Sequence, residues 1–387
     1  MAKLELIATS TFGLESLVAQ ELRDLGYTQL QVDNGKVAFS ADELGICRAN
    51  LWLRTAERVL IKVGEFQALT FEELFQQTKA LPWEEWLPKN ACFPVQGKSV
   101  KSQLFSVPDC QAIVKKAIVE RLKDIYGMSW FPEDGPRYTI EVSLLKNRVL
   151  LTLDTSGVGL HKRGYRQLTG VAPLKETLAA AMIYLSRWHP ERAFLDPFCG
   201  TGTLPIEAAL LAQKRAPGLK RSFVAEQWPN LAKDLWQEAW QEALDLWQPE
   251  MPLHIYGSDI DPKALQLARL HAEEAGLKEG VHFQRLPVSE IRSRFAYGHI
   301  VTNPPYGERM GEKEDIDALY RELGESWAGL EHWSLHMLTT ERYPENYIGR
   351  RWDKSRKLYN GRLECHYYQF FGPNPPRERQ GSPAEEV

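Results

Sequence analysis

Cysteine is scarce in this chain: Cys47, Cys92, Cys110, Cys199 and Cys365 are the only five in 387 residues. They are scattered and odd in number, and no C-x-x-C pair occurs, so neither a zinc-binding knuckle nor a disulfide framework is indicated. No apolar run approaches the ~20 residues of a membrane-spanning helix. The start, Met1-Ala2-Lys3-Leu4-Glu5, lacks a secretory hydrophobic region, and a cytoplasmic protein is expected. Positive charge is not in excess: the net charge is −4, which argues against a broadly basic nucleic-acid coat and permits only a local basic face. The nine histidines form no metal-ligand cluster; His332 and His336 have i, i+4 spacing but no partner ligand nearby, so no metal is expected. A G-x-G-x-x-G fingerprint is missing too, which disfavours a nicotinamide dehydrogenase.

What is present is globular: 43% hydrophobic and 25% charged residues, in a length that holds two or three domains. Two motifs stand about a hundred residues apart. The first is Asp196-Pro197-Phe198-Cys199-Gly200-Thr201-Gly202, preceded by the apolar Ala193-Phe194-Leu195 and followed by a helical pattern from Thr203. Strand, glycine loop and helix make a cradle for an adenosine-type cofactor: the glycines let a ligand approach the backbone, and the helix start offers N–H groups. Cys199 lacks a His–acid pair and reads as a packing or pocket-lining residue. A second strand, 255–259, ends in Asp259, placed to accept hydrogen bonds from ribose hydroxyls. Asp261, before Pro262, reads as a helix cap.

The second motif is Asn303-Pro304-Pro305-Tyr306, at the end of a candidate strand over 297–302. Successive prolines fix φ and remove donors, freeing the Pro304 carbonyl. With the Asn303 side-chain oxygen it can accept both hydrogens of a substrate amine and aim the nitrogen lone pair at a methyl donor. Tyr306 supplies a ring for a base taken out of its stack. Together, the motifs point to methyl transfer onto the exocyclic amine of a base.

Upstream, residues 1–64 read as a small α+β unit of ferredoxin-like type, with strands near 4–8, 36–40 and 58–63 and helices near 14–25 and 41–53. Residues 65–160 read as a second α+β unit. Its clearest helix is 110–126, capped by Asp109 or Ser106 and stopped by Gly127, with Ile113, Val114, Ala117, Ile118, Leu122 and Ile125 as the buried stripe. A strand pair follows, turning at Lys146-Asn147. The run His161-Lys162-Arg163-Gly164-Tyr165-Arg166 is the densest basic–aromatic cluster and a candidate phosphate contact. An Ala-rich helix over 171–185 is expected, as is a closing hairpin at Asn360-Gly361. Tryptophans between Pro217 and Pro252 read as packing for an added helix, and 373–387 as a disordered tail.

The chain resembles the THUMP-domain class I RNA methyltransferases, and most closely the bacterial guanine-N2 methyltransferases of large-subunit ribosomal RNA. The resemblance covers nearly everything to residue 372. It is carried by Ser106-Val107-Pro108-Asp109-Cys110-Gln111, by Leu153-Asp154-Thr155-Ser156-Gly157 with the 161–166 run, by Ala172-Pro173-Leu174-Lys175-Glu176, and by the segments 196–202, 302–309 and 357–361. It implies a Rossmann-like α/β methyltransferase domain over 165–372 behind α+β ferredoxin-like (1–64) and THUMP (65–160) domains. It further implies S-adenosyl-L-methionine held by Asp196, Pro197, Phe198, Cys199, Gly200, Thr201, Gly202, Thr203, Asp259 and Ile260. Asn303, Pro304, Pro305 and Tyr306 would hold a flipped base. Structured ribosomal RNA would be gripped by the amino-terminal region, with Lys98, Lys101, Lys115, Lys116, Lys162, Arg163 and Arg166 as candidate contacts. The family's adenine-contacting acid is replaced here by Pro287, which moves that contact toward the Val288 amide. Adenine-N6 methylation of RNA or DNA, tRNA guanine-N2 methylation and a non-catalytic RNA-binding assembly factor are the competing readings.

Overall fold

The computed structural model describes residues 3–166, 174–277, 279–305 and 313–376. They belong to two compact units: one of residues 1–167, 175–181 and 213–250, the other of 168–174, 182–212 and 251–387.

The first unit opens with β1 (Leu4–Ser10), α1 (Glu15–Asp24), β2 (Leu30–Asp33), β3 (Lys36–Ala41), α2 (Glu43–Trp52) and β4 (Ala56–Gln67). It continues with α3 (Phe71–Lys79), β5 (Val95–Val100), α4 (Val107–Tyr126), β6 (Ile140–Leu145) and β7 (Arg148–Asp154). All seven strands join one sheet, ordered β2-β3-β1-β4-β7-β6-β5. β4 is the shared member, antiparallel to β1 on one side and to β7 on the other. The expected boundary at 64/65 therefore falls inside a strand. It coincides with a register shift between Lys62 and Gly64, where an added Cβ would meet the Leu81 side chain at 2.7 Å.

Local chemistry explains these elements. Thr70 and Glu73 form a reciprocal capping box on α3. Ser106 holds the N-cap position of α4 without a side-chain hydrogen bond, and Gly127 ends that helix at φ +65°. Cys110, Val114, Ala117, Ile118 and Leu122 form its buried stripe. Ile125, expected in the stripe, is 47% exposed; one position on, Tyr126 turns inward and donates to the Leu87 carbonyl at 2.7 Å. Lys146 and Asn147 both take left-handed φ, the geometry of a tight two-residue hairpin.

The helix expected over 171–185 is α5 (Glu176–Ser186); positions 171–173 lie outside the described residues. β8 (Phe194–Asp196) and α6 (Thr203–Ala212) follow. Residues 213–250 then return to the first unit with α7 (Lys233–Asp245), so the stretch 165–372 is not one body. Trp228 stacks on Tyr138 with centroids 4.4 Å apart and donates to the Arg137 carbonyl at 2.9 Å. Trp236 stacks on Phe223, and Arg48 grips Glu242 through two 2.7 Å hydrogen bonds. The tryptophans of this insert are packing, as expected for an added helix.

The second unit resumes with β9 (Ile255–Asp259), α8 (Pro262–Glu274), β10 (Val281–Arg285), β11 (His299–Thr302), α9 (Lys313–Ala328), β12 (Ser334–Thr339), α10 (Glu345–Ile348), β13 (Lys354–Asn360) and β14 (Leu363–Phe370). Its sheet runs β10-β9-β8-β11-β12-β14-β13. The first five strands are parallel, β14 is antiparallel to β12, and the expected β13–β14 hairpin forms the edge. Strand order reverses between β8 and β11, and doubly wound sheets take their ligands beyond the carboxyl ends of the strands at such a point. Beyond β14, the Gly372 N–H still bonds Ser334 Oγ at 2.9 Å. Of the expected tail, 377–387 lies outside the described residues.

Candidate functional site: a glycine loop beside an unpaired amide

The glycine loop stands at the switch point of the second sheet. Gly200 has φ +50°, and a Cβ built there meets nothing within 4 Å, so a ligand can lie against the backbone. Gly202, at φ +85°, is different: its Cβ would stand 3.0 Å from both Ala268 and Phe283, so here glycine permits close packing of the loop on its neighbours. The loop is braced from the adjacent strand. Asp259 Oδ2 accepts the Gly200 N–H at 2.9 Å, and Oδ1 accepts the Asp261 N–H at 2.9 Å. A carboxylate has about four acceptor positions, so Asp259 keeps capacity for ribose hydroxyls. Asp261 caps α8 through the Lys263 N–H, as its position before Pro262 implied. Ile260, beside Asp259, is 64% exposed.

Several loop N–H groups expected to be available are already committed. Cys199 N–H donates to Ser258 O, Gly202 N–H to Cys199 O, and Ile206 N–H to Gly202 O. The cradle therefore offers an open surface and a carboxylate more than a row of free donors. Pro197 is buried, Thr203 is 6% exposed, and Phe198 and Thr201 are partly covered. Burial pushes the Cys199 thiol far up, helped by Asp196 and Asp259, which removes it as a nucleophile. Sequence reasoning missed His271 on α8, whose Nδ1 lies 3.1 Å from the Thr201 carbonyl. A carbonyl only accepts, so Nδ1 carries the proton.

Asp196 ends β8 and is 2% exposed. Burial lifts its carboxyl to about 7, against the Thr302 and Phe198 hydrogen bonds and with a further push from Asp259. Thr302 Oγ1 donates to it at 2.7 Å and the Phe198 N–H at 3.1 Å. Thr302 is the residue before Asn303, so the two motifs read separately in the sequence are tied together at their strand ends.

Asn303 is partly buried, and its Oδ1 is inaccessible to solvent and has no hydrogen-bond partner among the described residues. Such an orphaned acceptor is costly unless a ligand satisfies it. Pro304 is buried, while the Pro305 carbonyl receives the Tyr320 hydroxyl at 3.3 Å. Tyr306 lies outside the described residues. At the expected adenine contact, Pro287 starts a tight turn over Val288–Glu290, and Val288 is 3% exposed, its carbonyl taken by Ser326 Oγ at 2.7 Å.

The basic cluster at 161–166 requires correction. Only Lys162 of its candidate contacts is fully exposed. Arg163 is 3% exposed and donates to the carbonyls of Leu160 (2.7 Å) and Arg54 (2.6 Å). Arg166 pairs with Glu176 at 3.2 Å, both side chains nearly covered. Neither guanidinium can reach a phosphate without breaking these contacts. Of the earlier lysines, Lys98 is paired with Glu141 yet more than half exposed, and Lys101 and Lys116 are exposed. Lys115 is held by Glu133 and the Phe93 carbonyl and sits over the Phe93 ring. The solvent-facing set is therefore Lys98, Lys101, Lys116 and Lys162. His332 and His336 do not share a helix face: His336 lies in β12, stacked on His299 of β11.

Comparison with known proteins adds the following. Residues 163–369 match the family model described as RMKL-like, methyltransferase domain; 5–60 match the RlmL ferredoxin-like domain and 68–154 the THUMP domain. The Bacillus subtilis protein named "Putative RNA methyltransferase YpsC" is 51% identical over 98% of this chain and 99% of its own length. A Listeria monocytogenes structure described as a predicted N6-adenine-specific DNA methylase is 50% identical, with TM-score 0.93 over 96% of this chain and 97% of that one. SMU.472, solved in complex with SAH, is 43% identical, with TM-score 0.92 over 97% of this chain and 100% of that one.

Proposed function

The chain belongs to the RMKL-like methyltransferase family, with RlmL-type ferredoxin-like and THUMP domains ahead of the catalytic region, and on that premise we propose that it methylates the exocyclic N2 amine of a guanine in 23S ribosomal RNA. The observation that carries the reading is the orphaned Asn303 Oδ1 at the carboxyl end of β11, beside the glycine loop's strand.

S-adenosylmethionine supplies an electrophilic methyl group when bound; Gly200 would give it room and Asp259 would accept hydrogen bonds from its ribose hydroxyls. Asn303 Oδ1 and the Pro304 carbonyl accept the two N–H bonds of the target amine. That holds the nitrogen lone pair on the line of attack, the main requirement of an SN2 transfer. The same acceptors favour the positive charge that develops on nitrogen as the N–C bond forms and the methyl–sulfur bond breaks; the thioether would leave as S-adenosylhomocysteine and the surplus amine proton would pass to water. Tyr306 supplies the ring for the flipped base. Lys98, Lys101, Lys116 and Lys162 contact RNA phosphates and fix the substrate without reading its sequence. The RlmL-type domain matches and the RNA methyltransferase name of the Bacillus relative favour RNA.

Adenine N6 is the second reading, favoured by the description of the Listeria relative and by the indifference of two acceptors to which base carries the amine. Transfer of radiolabelled methyl from S-adenosylmethionine to total RNA of cells lacking the protein, followed by nucleoside analysis, separates the two. Label in N2-methylguanosine of large ribosomal RNA is expected. Label in N6-methyladenosine overturns the guanine assignment, and label in tRNA alone overturns the ribosomal one.

A further inference from the structure

Tyr320 projects from α9 and is 1% exposed. Among the described residues its hydroxyl makes two contacts of different kinds: 3.3 Å to the Pro305 carbonyl and 2.8 Å to Thr339 Oγ1. Thr339 closes β12 and accepts the Glu341 N–H at 3.0 Å. Elementary valence gives this chain of contacts a direction. A carbonyl only accepts, so Tyr320 spends its single proton on Pro305. Thr339 must then donate to Tyr320, and its own lone pair takes the Glu341 N–H. The sequence of donors runs Glu341 N–H, Thr339 O–H, Tyr320 O–H, and ends on the backbone of the Asn303-Pro304-Pro305 segment.

The anchor is itself held. Tyr347 of α10 meets the Tyr320 ring edge to face at 6.2 Å. α9 and α10 approach so closely that a Cβ on Gly324 would stand 2.9 Å from the Ile348 backbone. Pro304 and Pro305 have no backbone N–H, so neither can be fixed by an N–H bond to a neighbour. A donor arriving from outside at the Pro305 carbonyl is the substitute.

We infer that Tyr320, oriented by Thr339, is a positioning residue for methyl transfer: it holds the Pro305 carbonyl and so fixes the segment that carries the paired acceptors of the target amine. This rests on the amine-binding role given above to Asn303 and Pro304. Tyr320 and Thr339 are both buried, away from any surface a ligand could reach, so their removal acts on turnover and leaves cofactor binding intact.

The test is steady-state methylation by Tyr320→Phe, Thr339→Val and Thr339→Ser, with kcat expressed per cofactor-binding site titrated by calorimetry. Tyr320→Phe is expected to lower kcat by about ten- to a hundredfold with KM for S-adenosylmethionine unchanged, in the range known for small misplacements of reacting groups. Thr339→Val lowers kcat in the same direction, and Thr339→Ser, which keeps the hydroxyl, restores it. The double variant Tyr320→Phe/Thr339→Val is no slower than Tyr320→Phe alone. A merely structural tyrosine would reduce the number of binding sites and leave kcat per site alone; that outcome overturns the inference. If Tyr320→Phe fails to fold, Thr339→Val decides the matter in the same way. Asn303→Ala is run beside them. If it retains full kcat, the amine-binding reading falls and takes this one with it; if it loses kcat while Tyr320→Phe and Thr339→Val do not, only the positioning role is lost.

Discussion

Thr302 Oγ1 lies 2.7 Å from Asp196 Oδ1 and donates to it, joining the end of β11 to the end of β8. The bond favours the ionised carboxyl, against a burial that raises it to about 7. Thr302→Val should therefore push the Asp196 midpoint higher, read by carboxyl-carbon NMR of the unliganded protein. Because the folded state holds this proton more tightly than the unfolded chain, Asp196 costs stability above about pH 7 and the cost fades as pH falls toward 4. The loss from Thr302→Val, about 1.5–3 kcal/mol for a hydrogen bond to a charged group, should be larger at pH 8 than at pH 5. Equal losses at both pH values would show that the bond does not discriminate between the protonation states.

Asn303→Ala should lower kcat by about a hundredfold or more while the S-adenosylmethionine dissociation constant stays within twofold. Parallel loss of both would assign Asn303 to the cofactor pocket instead.

His299 and His336 should make the methyltransferase unit acid-sensitive. Their rings stack 5.4 Å apart, and both nitrogens of His336 and Nδ1 of His299 lack partners among the described residues. Burial holds His299 down to about 4, with Arg192 adding, and His336 well below its usual value, with His299 adding. The unfolded chain then binds more protons, so stability is whole above about pH 6.5 and declines as pH falls toward 4. His336→Leu should flatten that decline in thermal melts between pH 7.5 and 5. An unchanged slope would place the acid sensitivity elsewhere.

The basic residues should divide by exposure. Substituting Lys98, Lys101, Lys116 and Lys162 by Ala should weaken RNA binding and make it less sensitive to salt, the slope falling by up to about one for each phosphate no longer neutralised. Arg163→Ala should instead lower the melting temperature, because it leaves the Leu160 and Arg54 carbonyls without their donor. An Arg163→Ala protein of normal stability with a reduced salt slope would restore the phosphate role.

Trp228→Ala should cost about 3–5 kcal/mol, the usual range for emptying a large aromatic site. Denaturant unfolding of the full chain measures it, and a cost below about 1 kcal/mol would mean that the insert is not part of the core.

Much of this was legible from local pattern. The glycine loop, the Asp259 strand, the Asp261 cap and the Gly127 stop each depend on neighbours within a few residues, and each appears where the sequence placed it. β2 was not legible: Leu30–Asp33 faces solvent along most of its length, so it lacks the alternation that marks a half-buried strand. Arg163 and Arg166 looked like a phosphate grip because charge density along a chain says nothing of burial. Their acceptors, on Arg54 and Glu176, become neighbours only on folding. Tyr320 gave no signal at all, since its partners lie at Pro305 and Thr339 on other elements. The segment 213–250 carries tryptophans that announce a core without saying whose.

That detour of the chain changes what a domain means for this molecule. A gene fragment cut at the start of the methyltransferase match would encode Trp228 without Tyr138 and Arg137, and Glu242 without Arg48. A fragment ending before it would leave those partners facing water. The chain thus leaves the first unit, returns to it with 213–250, and leaves it again. A protease nick between the two units need not release either half, and evolution could not have exchanged the amino-terminal module for another without resewing the insert.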